Sequence, residues 1–209
     1  FTYRGALFWK MQAGMGDIVF TPFYEVLKAR GVKFEFFHKL TNITLSEDKT
    51  HVAALDFRVQ AKIKGGGAYD PLVDVRGLEC WPSLPNYDQL VQGAALRKAR
   101  WNPESFKDER AVGRKSLKVT NDFDFVVLAV GLGAVPQVAP ELVAASTDWK
   151  LMTERVKTVA TQAFQVWLNK DVEALGWPLP PINISGYVEP FDTWADMRQL
   201  IPKEDFKTD

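Results

Sequence analysis

The feature that most constrains the fold of this chain is the apolar run within residues 123–136, which reads FDFVVLAVGLGAVP. Residues 126–130 offer no polar face, and a strand of that kind is covered on both sides, as in a parallel or mixed sheet. Such sheets bind ligands just beyond the carboxyl ends of their strands. The small residues Ala129, Gly131 and Gly133 would leave room there for a flat or phosphorylated group. The third glycine of a dinucleotide-binding fingerprint is missing.

The composition is that of an ordinary globular protein. The 209 residues are 46% hydrophobic and 25% charged, which suffices for one good core or two small lobes. The 26 basic residues equal the 26 acidic ones, so charge favours neither nucleic acid nor an anionic membrane as a partner. No apolar run reaches the length of a membrane span, which is about 18 residues. Cys80 is the single cysteine and there are two histidines, so we expect a cytoplasmic protein without a metal site.

The clearest helix lies in residues 17–30, where apolar side chains recur at helical spacing and Gly31 is the expected stop. The start of this helix has two candidates. Asp17 can act as the N-cap, whereas Thr21 followed by Pro22 would place proline at the first helical position.

Residues 32–45 and 51–63 are rich in aromatic and β-branched side chains and are separated by a short polar turn. They predict an antiparallel pair whose second strand has one buried and one wet face. Residues 65–114 read as an irregular insertion that contains a helix at 88–100. A third strand at 116–120 would complete a β-meander and lead directly into the apolar run.

Beyond the apolar run, residues 141–145 and 148–156 look helical, and a possible short helix follows near 194–201. Residues 158–168 alternate between apolar and polar side chains, which predicts a strand in a second sheet.

The order of a glycine pair, an amphipathic helix, a β-meander and an apolar strand resembles the middle of the flavin-dependent amine oxidase and phytoene desaturase superfamily. The matching pieces are residues 13–16 (AGMG), Gly31-Val32, 38–43 (HKLTNI), 124–130, 161–168 and 191–197. The resemblance implies an α/β chain with a partial FAD/NAD(P)-binding lobe in residues 1–136, interrupted by the insertion at 65–114. Residues 137–209 would then form part of a mixed, substrate-binding lobe.

The resemblance also implies six cofactor-binding residues: Gly14, Gly16, Leu40, Ala129, Val130 and Gly131. The glycine pair would pack near the flavin ring or its ribityl chain, Leu40 would face the adenosine part of FAD, and the last three would line the same cavity. Each has a structural alternative. Leu40 and Val130 could be core residues, Gly131 could close a turn, and the glycine pair could form the turn before a helix.

The function that the resemblance implies is hydride transfer to FAD from a small-molecule substrate, either an amine or a bulky apolar compound. Aromatic residues of the second lobe would suit such a substrate or form that lobe's core: Phe164, Trp167, Trp177, Phe191 and Trp194. The alternative is a non-catalytic α/β binding or scaffold module without a cofactor.

Two glycine-bearing parts of the superfamily have no counterpart in this sequence, namely the Gly-x-Gly-x-x-Gly loop and a later Gly-Asp segment. We therefore expect Phe1 to be an interior position of a longer protein, although a processed start would look the same. Because the loop and its helix N-terminus hold the pyrophosphate, we expect this chain alone to retain FAD weakly or not at all.

The residues assign no catalytic group. His38 in a strand and His51 at a turn are expected to be packed or surface side chains. Asp192 and Asp196 are expected to cap loops, and Cys80, with no adjacent cation, is expected to be inert. The uncovered edges of an incomplete sheet predict self-association.

Overall fold

The structure is a computed structural model that describes Arg4 and residues 9–203. These residues form a mixed α/β protein with small antiparallel sheets and several helices, which confirms the predicted α/β class. The chain divides into two compact units. The first unit takes in Phe1–Val32, Leu72–Pro82 and Ala160–Asp209, and the second takes in Lys33–Pro71 and Ser83–Val159.

The β-strands of the described residues are β1 His38–Leu45, β2 Val52–Val59, β3 Val73–Val75, β4 Leu78–Cys80, β5 Gly113–Lys118, β6 Asn183–Ser185 and β7 Thr193–Ala195. The α-helices are α1 Thr21–Ala29, α2 Gly93–Lys98, α3 Val135–Val138, α4 Pro140–Ala145 and α5 Thr147–Arg155. A π-helical turn occupies Gly16–Phe20, and 3₁₀ turns occupy Lys64–Gly66, Tyr87–Gln89, Leu132–Ala134 and Arg198–Lys203. The strands make one three-stranded antiparallel sheet in the order β1-β2-β5 and two hairpins, β3-β4 and β6-β7.

The three-stranded sheet of the second unit begins with the predicted hairpin. Its register sets Leu40 opposite Phe57 and Ile43 opposite Leu55. Asp48 closes the connecting turn, because its Oδ1 accepts hydrogen bonds from the Ser46 hydroxyl at 2.6 Å and from the Thr50 amide at 3.1 Å. Such Asx-type bonds make aspartate a turn residue. The sheet is the β-meander that the sequence predicts, with its third strand β5 displaced a few residues towards the N-terminus.

One face of this sheet packs on short helices and forms the sheet cluster, defined as Ile43, Val135 and Ala139. All three side chains are almost fully buried, with exposures of 2%, 4% and 0%. Partly buried apolar side chains surround them, among them Leu40, Leu55, Leu128 and Trp149. Helix α5 is held at its start by Ser146, whose hydroxyl accepts a bond from the Trp149 amide. The helices predicted at 141–145 and 148–156 are α4 and α5.

A second cluster of this unit forms in the region predicted as an irregular insertion. It contains Ala61, Tyr69, Tyr87, Leu90 and Leu96, and is called the loop cluster. Leu90 is fully buried, and the Tyr87 hydroxyl donates a 2.7 Å hydrogen bond to the Trp101 carbonyl. The helix predicted at 88–100 is shorter, since a 3₁₀ turn precedes α2.

In the first unit, the helix after the glycine pair has a composite start. The chain forms a π-helical turn from Gly16 and becomes α-helical at Thr21, with Pro22 in the first turn. Asp17 does not cap the helix, because its carboxylate accepts a 2.9 Å bond from the amide of Trp81. Gly31, at φ 88°, ends the helix as predicted.

Two predicted strands are wrong. Residues 123–130 form no strand beyond a single bridge between Val119 and Phe123, and residues 158–168 form none. In the first case the chain turns at the end of β5, where the Lys118 amide donates to the Asp122 carboxylate and Thr120 adopts φ 67°. After this turn the apolar run does not pair with the sheet as a strand. The short helix predicted near 194–201 is β7 followed by a 3₁₀ turn.

We expect Gly93→Ala to destabilise the second unit by about 1–3 kcal/mol, because an added Cβ would overlap the carbonyl oxygen of Tyr87. That oxygen accepts the Leu90 amide at 3.0 Å, so moving it disturbs the loop cluster. Urea unfolding monitored by tryptophan fluorescence measures the loss. The matched control is Gly113→Ala, where the new Cβ meets Val59 at an ordinary 3.7 Å and should be neutral or stabilising. Equal effects of the two substitutions would contradict the packing at Gly93.

The turn at Asp48 predicts a pH dependence of folding. Hydrogen bonds from the Ser46 hydroxyl, the Thr50 amide and the Thr50 hydroxyl lower the pKa of Asp48 from 3.8 to about 2. A depressed pKa in the folded state adds stability that is present above the unfolded pKa and lost as the pH falls towards the folded one. Between about pH 4 and 2, Asp48→Ala should therefore lose less stability than the parent chain. Glu47→Ala, which removes a neighbouring exposed carboxylate, should behave like the parent.

Candidate functional site

The apolar run expected to form a buried cofactor-side strand is exposed instead. In residues 125–130, here called the apolar segment, Phe125 is 92% exposed, Val127 is 91% exposed and Val130 is 38% exposed. Val126 and Leu128 are half-buried, and Leu128 packs against the sheet cluster. One side of the segment therefore lies on the core and the other side is bare.

The chain as a whole exposes 16265 Å² of surface. A folded protein of 23.6 kDa is expected to expose about 9,800 Å². Two separate halves of this mass would expose about 12,000 Å² in total, so division into units does not account for the difference. Bare apolar segments such as 125–130 contribute to the excess, and contiguous exposed apolar surface marks a place where another surface binds.

Four of the six predicted cofactor-binding residues belong to the second unit. Leu40 lies in β1 and packs against the sheet cluster. Leu128, which directly precedes the other three predicted residues, packs against the same cluster. Ala129, Val130 and Gly131 follow, and all three are exposed. An added Cβ at Gly131 would meet no atom within 4 Å. Leu40 thus packs on the sheet cluster, and the exposed segment 129–131 lies between Leu128 and Leu132, which also pack on it.

The other two predicted residues, Gly14 and Gly16, belong to the first unit and form the turn into the helix. The carbonyl of Gly14 accepts the amides of Asp17 at 3.0 Å and Ile18 at 3.1 Å. An added Cβ at Gly14 would meet the Asp17 carboxylate at 3.0 Å, and one at Gly16 would meet the Trp81 ring at 3.6 Å. A side chain at Gly14 would thus require the Asp17 carboxylate to move, whereas one at Gly16 would make an ordinary contact.

A cavity of about 630 Å³ borders the three-stranded sheet, and sequence reasoning missed it. Most of its lining belongs to the polar face, whereas Phe57 and Lys115 belong to the face of Leu40. This sheet-face cavity is lined by Thr41, Asn42, Asp56, Phe57, Arg58, Arg114, Lys115 and Ser116. Side chains alternate along a strand, so Asp56 and Arg58 face away from Phe57 and its partner Leu40. The sequence does show charged residues in β2 and β5, but it does not show which of them lie side by side. That depends on the register of the strands.

The register places cations side by side across this face. Arg58 pairs with Lys39 on β1 and with Arg114 on β5, while Asp56 pairs with Ser116. Lys39 donates to the carbonyls of Phe106 and Asp108, and Arg58 pairs with the carboxylate of Glu109. The region is thus a row of three cations beside a row of smaller polar groups.

Both histidines, Asp196 and Cys80 have local hydrogen-bond partners. Nδ1 of His38 lies 2.7 Å from the Phe36 carbonyl, and His51 borders the β1-β2 turn. The Asp196 carboxylate accepts the Arg198 amide at 3.1 Å, which agrees with the expected loop cap. Burial raises the pKa of the Cys80 thiol, whose Sγ donates to the Leu78 carbonyl. No cluster of metal-ligating side chains occurs among the described residues.

Comparison with known proteins finds no family model, no curated protein and no solved structure that matches this chain. None of the helices within Arg4 and residues 9–203 is long and apolar enough to cross a membrane.

We expect the apolar segment to drive self-association, which the double substitution Phe125→Ser with Val127→Ser should suppress. Both side chains are almost fully exposed, so their loss should leave the unfolding free energy within about 0.5 kcal/mol of the parent. Sedimentation velocity over a range of concentrations measures the association. Leu128→Ser is the control, because its side chain packs on the sheet cluster and its loss should cost about 2–4 kcal/mol. A parent chain that stays monomeric at every concentration would contradict this expectation.

Proposed function

We propose that this chain supplies the β-meander side of a flavin-binding lobe in an FAD-dependent oxidoreductase of the amine oxidase and phytoene desaturase type. The observation that carries the proposal is the arrangement beside the sheet cluster. The three-stranded antiparallel meander contributes Leu40 to this cluster, and the exposed segment 129–131 lies between two residues that pack on it, Leu128 and Leu132. A planar ring or adenosine group needs a surface of this kind, apolar and open to close approach.

The residues present fit part of such a cofactor. Ala129 and Gly131 offer small, exposed positions, and Leu40 contributes apolar surface from β1. The described residues contain no glycine-rich loop that leads from a strand into a helix, so the pyrophosphate would rely on other polypeptide. When bound, FAD would accept the hydride from the substrate, while this chain would orient the cofactor and exclude water.

Aromatic residues of the first unit support a bulky apolar or amine-bearing substrate. The Phe164 ring meets the rings of Phe191 at 4.6 Å and Trp194 at 5.1 Å, in edge-to-face geometry. All three side chains remain more than a third exposed, so their faces are open to a ligand. An aromatic surface of this kind binds apolar groups and, through its π faces, cationic amines.

A non-catalytic α/β binding module is the second candidate function. The sheet-face cavity favours it, because three of its charged lining residues, Asp56, Arg58 and Arg114, lie on the face opposite to Leu40 and require no flavin.

The test is the flavin content of the protein produced from its natural open reading frame. We expect stoichiometric flavin in the purified protein and at least about a tenfold loss of affinity in Ala129→Trp, because the larger ring would fill the open space beside residues 129–131. Ala145→Trp is the matched control, since it adds the same ring at an exposed position of α4. Flavin is measured by absorbance after denaturation.

Each outcome distinguishes the candidates. Loss of flavin in Ala129→Trp but not in Ala145→Trp would support a cofactor contact at residues 129–131. A natural protein that purifies without flavin and binds none in a fluorescence titration would overturn the oxidoreductase and leave the binding module. Nanomolar FAD binding by the chain of 209 residues itself would contradict the expected need for a separate phosphate-binding loop.

A further inference from the structure

The register of the three-stranded sheet brings three cations together on its polar face. Lys39, Arg58 and Arg114 are direct register partners across three adjacent strands. Like charges that face each other on neighbouring strands destabilise a sheet. A solvated sheet face accommodates isolated lysines and arginines, but this register brings three together. The arrangement therefore favours a function for the cations beyond solubility.

The three cations differ in their hydrogen-bond and ion-pair partners. Lys39 donates to two backbone carbonyls, at 2.9 Å and 2.6 Å, and Arg58 shares the exposed carboxylate of Glu109. The Arg114 guanidinium makes no hydrogen bond or ion pair within the described part of the chain, although it lines the cavity. Arg114 thus presents an unused planar set of donors, the geometry that binds phosphate oxygens in pairs.

Smaller polar groups lie beside the cations and could bind the uncharged part of a ligand. The Ser116 hydroxyl and the Asp56 carboxylate are register partners in the cavity lining, and neither makes a hydrogen bond with another described side chain or backbone group. A carboxylate repels a bare anion but accepts hydrogen bonds from hydroxyl groups. A ligand that fits both rows carries its negative charge at one end and hydroxyl groups at the other.

We propose that the sheet-face cavity binds a hydroxylated phosphate monoester of the sugar phosphate class. Arg114 and Arg58 hold the phosphate, Ser116 donates a further hydrogen bond, and Asp56 accepts bonds from the ligand's hydroxyl groups. The volume of about 630 Å³ lies within the usual range of small-molecule sites. The site stands independently of the flavin proposal, because the four residues assigned to the ligand, Asp56, Arg58, Arg114 and Ser116, belong to the face of the sheet opposite to Leu40.

The test is a titration of the chain with glucose 6-phosphate, inorganic phosphate and glucose, followed through backbone amide resonances by NMR. We expect glucose 6-phosphate to shift the amides of β2 and β5 with a dissociation constant on the order of 1 mM. Phosphate should bind more weakly at the same residues, and glucose should not bind. An absence of saturable shifts in these strands with glucose 6-phosphate at about 10 mM would overturn the proposal.

Matched variants separate a built site from general electrostatic attraction. Arg114→Gln should weaken glucose 6-phosphate binding by about tenfold, whereas Arg155→Gln, the same change at an exposed arginine of α5, should not. Because the Arg114 side chain bonds no described residue, the other resonances of the variant should stay in place and report an intact fold. Equal weakening by both substitutions would overturn the proposal, since it would indicate net charge alone.

Asp56→Asn tests the assignment of the hydroxyl-binding end. Removing the carboxylate should strengthen binding of inorganic phosphate and reduce the preference for glucose 6-phosphate over phosphate. An unchanged preference would overturn the sugar phosphate assignment and leave only an anion site.

Discussion

The packing of the apolar face of the β1-β2 hairpin on helices α3 and α4 is the contact on which the second unit depends. Ile43 from the sheet meets Val135 and Ala139, and these three are among the most buried side chains of the structure. A three-stranded sheet has two faces, and this contact covers one of them. The polar face is left to solvent or ligand, and the register of the same strands decides which charges meet there.

The same contact determines what happens to the apolar segment. Leu128 packs on the sheet cluster, whereas the side chains of Phe125 and Val127 remain almost fully exposed. A segment with one side packed on the core and the other side apolar and exposed is suited to bind another surface. In the flavin proposal that surface is a cofactor with its remaining lobe, and in self-association it is a second copy of the chain. The flavin proposal also requires the small residues Ala129 and Gly131 to stay accessible.

Local patterns predicted the elements that depend on neighbouring residues. The spacing of apolar side chains and Gly31 marked α1, and alternation with a polar turn marked the β1-β2 hairpin. The helices α4 and α5 were found in the same way. The strands expected at 123–130 and 158–168 were wrong, because apolar composition shows that a segment needs cover but not that a partner strand is available. That the six predicted residues contact FAD stays a prediction.

The sequence by itself determined the neutral overall charge, the α/β character and the β-meander. The last two could be predicted because the helical and strand periodicities of side chains are visible within a few consecutive residues. Only the tertiary structure decided that Arg58 and Arg114 face each other and that Phe125 and Val127 remain exposed. Those outcomes depend on backbone pairing between strands more than 50 residues apart and on the turn after β5. Pairing at such separations is set by the packing of the whole unit, which no short pattern encodes.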